Sequence, residues 1–160
     1  LRSLPPNARP SQPHDLRFPF SWRFLVIGWK WLYFRPGPFV AGAGQSPQVS
    51  RGNYLVNVLG HCGECHTPRN FLGGLNRDRL LAGTKSGPEG KPIPNITSGR
   101  LKWSDADFKE FFQTGLTPDF DAANSTMMEV VRNTTGKLTP EDLSAMAAYL
   151  RAVPALVSEK

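Results

Sequence analysis

Three stretches of the chain place apolar residues three and four positions apart, the spacing that lines one face of an α-helix. The first runs from about Pro47 to Leu59, with Tyr54, Leu55, Val58 and Leu59 on its apolar side. A second starts at Ser104, which has Asp107 three residues on as a capping-box partner and Gly115 as its stop. Its buried face is Phe108, Phe111 and Phe112. The third starts from Thr139, with Pro140 at the first helical position and Asp142 three residues beyond the cap. There Leu143, Met146, Ala147 and Leu150 face inward. No segment alternates apolar and polar residues for long enough to suggest a sheet, so the pattern predicts an all-α unit over residues 46–160.

The chain has 160 residues, enough for one ordinary domain and an extension. Its 15 glycines and 15 prolines imply that the three helices are joined by long loops. Charge is unevenly distributed. Residues 1–45 hold six basic side chains against Asp15 alone, whereas the remainder carries thirteen basic and twelve acidic ones. The net charge of +6 therefore belongs mainly to the extension. No basic helix or RNA-binding signature accompanies it, which argues against nucleic acid as a partner.

The extension has two parts. Residues 1–15 are proline-rich and polar, as linkers are. Residues 16–39 hold nine aromatic side chains, among them Phe18, Trp22, Trp29, Trp31 and Phe34. No small-residue cleavage site follows a clean apolar core, so this is not a secretory leader. Only eleven residues separate Arg23 from Arg35, Lys30 among them, against the roughly 20 that a spanning helix needs. Two readings stay open: a segment in a membrane interface, or one packed against another protein domain. Leu1-Arg-Ser-Leu-Pro5 also echoes Leu150-Arg-Ala-Val-Pro154, as expected if residue 1 ends an earlier, similar domain and the chain is a mature or partial piece.

Chemistry enters at Cys62-Gly-Glu-Cys65-His66, which contains both cysteines of the chain. Two thiols at this spacing can add to the two vinyl groups of one haem, and the histidine that follows can reach the iron. A thioredoxin-like dithiol needs a βαβ context that is missing here. Structural zinc needs four ligands, and only His14 and His61 remain to complete a set; neither has chelating spacing. The motif is therefore a covalent haem site, with His66 as the proximal ligand and Cys62 to His66 continuing from the first helix as a turn. A thioether is the expected sixth ligand. Met146 belongs to the face of the third helix, which leaves Met127 and Met128, in a helix-poor stretch that suits a loop over the distal face. Physical reasoning does not choose between them.

The order of helix, C-x-x-C-H, Pro/Gly-rich loop, distal methionine and final helix resembles class I cytochromes c over residues 46–155. More narrowly it is similar to the haem domains of diheme or multiheme cytochrome subunits of membrane-bound bacterial dehydrogenases, such as those serving quinohaemoprotein alcohol dehydrogenases. That likeness rests on Arg51-Gly-x-Tyr54-Leu55-Val56, His61 to Asn70, Leu81-Ala-Gly83, Pro94-Asn-Ile-Thr97, Trp103-Ser104 and Ala148-Tyr149-Leu150. The resemblance implies a cytochrome c fold of three main helices around one haem c. It implies that Met127 rather than Met128 is the ligand, and that Gly52 and Tyr54 meet Tyr149 and Leu150 at a helix crossing. It also places Asn95 and Thr97 in the loop near the haem propionates, with Trp103 as an indole N–H donor to them. In such subunits an aromatic linker like Phe18–Phe39 joins two haem domains.

The expected function is one-electron transfer in the bacterial periplasm, without bond chemistry, as a subunit or domain of a dehydrogenase or respiratory assembly. Expected partners are redox proteins on the dehydrogenase or terminal-oxidase side and an upstream haem domain. A haem enzyme or gas sensor with an open sixth position is a rival reading, although the distal stretch offers no histidine. A structural haem-bearing subunit docked through its aromatic segment is another.

Overall fold

A computed structural model of the chain describes residues 3–87 and 90–158. Leu1 and Arg2, which open the echo of the final helix, lie outside the described residues. The chain divides into two compact units between Gly37 and Pro38. The described residues form helices and loops, with only isolated bridges such as Arg69 with Leu75 and Thr84 with Ile93 in place of a sheet. The fold is all-α, as the apolar spacing predicts.

The first unit holds one helix, α1 (Leu25–Tyr33), in the aromatic segment where the sequence marked no helix. None of its residues is buried. Local ring contacts organise it, with Phe18 edge-on to Trp22 at 5.1 Å and Trp29 against Tyr33 at 5.1 Å. At nine residues α1 is about 13.5 Å long. No helix among the described residues is long and apolar enough to cross a membrane.

The second unit is built on α2 (Pro47–Tyr54), α3 (Cys62–His66), α4 (Asp105–Thr114), α5 (Ser125–Asn133) and α6 (Pro140–Ala152). The caps predicted at Ser104 and Thr139 are present, and Ser46 adds one at the start of α2. Ser46 Oγ accepts from Val49 N–H at 3.3 Å, and Thr139 Oγ1 accepts from Asp142 N–H at 3.3 Å. Ser104 and Asp107 exchange hydrogen bonds as a full capping box, and Gly115 ends α4 at φ +80°. Each such cap satisfies backbone donors that a helix start leaves unpaired.

Two features depart from expectation. The first predicted helix ends as α-helix at Tyr54 and continues as a π-helical turn over Leu55–Leu59, closed by Gly60 N–H on the Leu55 carbonyl at 2.7 Å. The stretch read as a loop around Met127 and Met128 is instead the helix α5, started by Asn124, whose side chain accepts from Met127 N–H at 2.9 Å. Met128 and the buried Val131 stand three apart on it, so the helical signal was present but short.

α2 and α6 cross at the centre of the core. Gly52 permits the approach: a Cβ there would lie 1.9 Å from the Ala145 carbonyl oxygen and 2.8 Å from Tyr149 Cβ. Around the crossing pack Leu55, Val56, Leu143, Met146 and Leu150, joined by Phe108 and Phe112 of α4. Tyr149 accepts from Asn57 Nδ2 at 2.7 Å, and the Tyr54 ring meets Phe39 at 5.3 Å. On the rim Arg51 Nε and Nη2 grip both oxygens of Asp142 at 2.8 and 2.9 Å. That bidentate hydrogen bond from Arg51 holds the Asp142 carboxyl below its ordinary pKa.

Gly52→Ala must push α6 off α2, and a loss of about 2–3 kcal/mol in denaturant-measured stability is expected, the cost of overpacking a tight core. Asp142→Asn is expected to lower the melting temperature slightly at neutral pH. Because the folded carboxyl is depressed, its contribution exists above the ordinary aspartate pKa and fades as pH falls through the lower folded value. Melting curves of wild type and Asp142→Asn should therefore converge on acidification; a gap that persists in acid would contradict the ion pair as its source.

Candidate haem site

The π-helical turn delivers the chain to His61, whose backbone is left-handed at φ +50°, and α3 starts at the next residue. The C-x-x-C-H segment is thus one short helix rather than the turn expected. Cys62 and Cys65 are both free thiols. Cys62 packs against the hydrophobic core, and burial pushes its thiol up to about 11, with the nearby Cys65 adding to the rise.

His66 is held from two directions. Its Nδ1 lies 2.8 Å from the Pro94 carbonyl oxygen, and its own backbone carbonyl accepts from Gly83 N–H at 2.7 Å. A carbonyl can only accept, so Nδ1 carries the proton and Nε2 keeps its lone pair. Burial holds the imidazole below the ordinary histidine pKa, while the Pro94 bond opposes this weakly. The ring is therefore neutral at neutral pH with one nitrogen free to bind a metal. Two thiols one helical turn from such an imidazole are the donor set that a covalently attached haem requires.

The supporting loop is tightly specified. Gly83 has φ +78°, and a Cβ on it would lie 2.6 Å from Asn95 N and 2.7 Å from the Ile93 carbonyl oxygen. Leu81, fully buried, is also left-handed at φ +65°. Its N–H donates to Thr67 Oγ1 at 3.0 Å and its carbonyl accepts from Ile96 N–H at 3.0 Å, which offsets the strain of that conformation. Beyond His66, Arg69 pairs with Glu64 at 2.5 Å and donates to the Gly73 carbonyl at 2.8 Å, closing the turn that follows α3.

The remaining sequence-predicted residues fall into place as follows. Asn95 and Thr97 are buried side by side: Asn95 Oδ1 accepts from Thr97 N–H and Oγ1–H, each at 2.8 Å. Asn95 Nδ2 then donates to the Leu156 carbonyl at 2.7 Å. Their polar atoms thus meet the C-terminal tail, a contact that local sequence gave no reason to expect. Trp103 is half-buried between Phe108 and Phe111, with ring centres 5.4 and 5.1 Å away, and its indole N–H has no acceptor among the described residues. Met127 is half-buried on α5. Met128 turns toward α4, where a Cβ on Gly115 would lie 3.0 Å from its sulfur.

Comparison with known proteins agrees with this geometry. Residues 49–154 match the family model described as cytochrome c. A "Diheme cytochrome c-type" protein of Cereibacter sphaeroides is 51% identical over 98% of the chain, which covers 52% of that protein. The "Fructose dehydrogenase cytochrome subunit" of Gluconobacter japonicus is 40% identical over 97% of the chain, covering 32% of that protein. The "Alcohol dehydrogenase (quinone), cytochrome c subunit" of Gluconacetobacter polyoxogenes is 34% identical over 96% of the chain, covering 35% of it. The chain thus spans between a third and a half of the length of these relatives. The match covers the Ser104 and Thr139 caps, the crossing and the C-x-x-C-H helix together, and the chain belongs to the cytochrome c family.

Proposed function

We propose that the chain carries single electrons through one haem c, attached at Cys62 and Cys65 and ligated by His66 and Met127. The observation that carries this reading is the 2.8 Å contact from His66 Nδ1 to Pro94, which presents Nε2 as a ligand. When bound, the haem supplies an iron that changes oxidation state without any bond to substrate being made. The protein's part is to orient and to exclude water. His66 is fixed by Pro94 and Gly83, so its ligand geometry is set before any change of charge.

Met127 is favoured over Met128 because the Met128 thioether packs against Gly115 at the end of α4. Consecutive residues on a helix point about 100° apart, so Met127 is directed elsewhere. A thioether ligand favours the ferrous state and suits a carrier better than a sensor. Trp103 donates its indole N–H to a propionate, while Asn95 and Thr97 hold the loop around that end of the haem.

The setting we propose is extracytoplasmic, in the bacterial periplasm and membrane-associated, within a dehydrogenase assembly. Two relatives support a dehydrogenase assembly: they are named as cytochrome subunits of dehydrogenases, and this chain matches only about a third of each. Electrons then come from a dehydrogenase subunit and leave toward the respiratory side. The aromatic segment around α1, with Trp31 and Ile27 mostly exposed, is the part that meets the rest of that assembly, an upstream haem domain included.

Met127→Ala should abolish the weak long-wavelength sulfur-to-iron absorption band of the oxidised protein and let the reduced protein bind carbon monoxide. Met128→Ala should keep the band and resist carbon monoxide, losing about 0.5–3 kcal/mol of stability as a truncated packing residue. The reverse pattern would move the ligand to Met128. Ready carbon monoxide binding by the wild type would favour the sensor reading instead.

A further inference from the structure

We infer that Asn95 is a positioning residue that couples the C-terminal tail to the proximal ligand, so that the tail's seating helps set the reduction potential of the iron. The inference rests on the His66 and Met127 ligation proposed above and deepens it.

Asn95 directly follows Pro94, whose carbonyl receives the His66 Nδ1–H. It is 2% exposed, and its neighbour Thr97 is fully buried. A buried amide is costly unless bonded, and each half of this one has a partner. Oδ1 closes a turn with Thr97; Nδ2 donates to the Leu156 carbonyl at 2.7 Å. The tail answers in kind, with Leu156 N–H donating to Thr97 Oγ1 at 3.2 Å. The two segments lie so close that a Cβ on Gly99 would stand 2.3 Å from the Leu156 oxygen. Two outer ties hold the tail down, from Ser98 Oγ to the Val153 carbonyl at 3.1 Å and from Arg79 Nη2 to the Val157 carbonyl at 2.5 Å.

A tail bound only for stability would need no buried amide one residue from the ligand's acceptor. The arrangement fixes the Pro94 carbonyl in place, and that carbonyl decides how strongly Nδ1–H is polarised. A strong bond there makes the imidazole a better donor to the metal, which favours the ferric state and holds the potential down. Releasing the latch weakens that bond and raises the potential. Opening the site to water would act in the opposite sense, since solvent favours the more highly charged ferric centre.

The test uses the haem-loaded chain and two lesions on opposite sides of the latch. Asn95→Ala removes the amide, and Leu156→Pro removes the tail's N–H. Both are expected to keep the sulfur-to-iron band, to raise the reduction potential, and to speed solvent exchange of the His66 ring N–H in the reduced protein by NMR. Asp142→Asn, which removes only the exposed rim pair with Arg51, should leave the potential unchanged. Folded, haem-loaded variants with the wild-type potential, or a lowered one, would overturn the inference. If Asn95→Ala does not fold, Leu156→Pro decides alone. A wild-type protein without haem c or without the band would defeat the underlying ligation instead, which separates the two failures.

Discussion

The hydrogen bond from His66 Nδ1 to the Pro94 carbonyl is the contact on which the rest of the second unit converges. It chooses the tautomer, and with it the nitrogen left to bind metal. It also requires residue 94 to approach α3 from a loop nearly thirty positions away. That approach depends on Gly83, which donates to His66 from one side and tolerates Asn95 and Ile93 against its bare Cα on the other. Leu81 accepts a left-handed backbone two residues earlier so that the chain arrives at that point. Local strain and buried polar groups gather here, as they do at functional sites.

A second constraint sets where α3 sits. α2 and α6 meet backbone to backbone at Gly52 and Ala145, and the π-helical turn after α2 redirects the chain into Cys62. α6 fixes one end of this frame through the crossing; the residues just after it bond to the loop that follows Pro94. The helix pair and His66 therefore share a single chain of contacts. α4 and α5 pack on the other side, with Met128 and Gly115 at their meeting point and Met127 on the same helix.

Much of this was legible in the residues. Ser104 and Thr139 marked their helix starts because capping is chemistry between neighbours, and the phenylalanines of α4 declared a buried face by spacing alone. The C-x-x-C-H segment likewise carries its meaning locally. α5 was missed because nine residues with paired valines give a weak periodic signal, although Asn124 was a sound cap. The helix in the aromatic segment was missed because apolar side chains surround it, leaving no polar face to reveal a period. The Leu156 latch could not be read at all: its partners are backbone groups 61 positions from Asn95, and any residue supplies those. Long-range contacts to the main chain leave no mark on composition or spacing.

Intact mass spectrometry of the denatured chain, after extraction with acidified organic solvent, tests the central claim most directly. A mass equal to the polypeptide plus one haem, with neither Cys62 nor Cys65 open to alkylation, is the predicted result. The bare polypeptide mass with both thiols alkylated would contradict covalent attachment and everything built on His66 as its ligand.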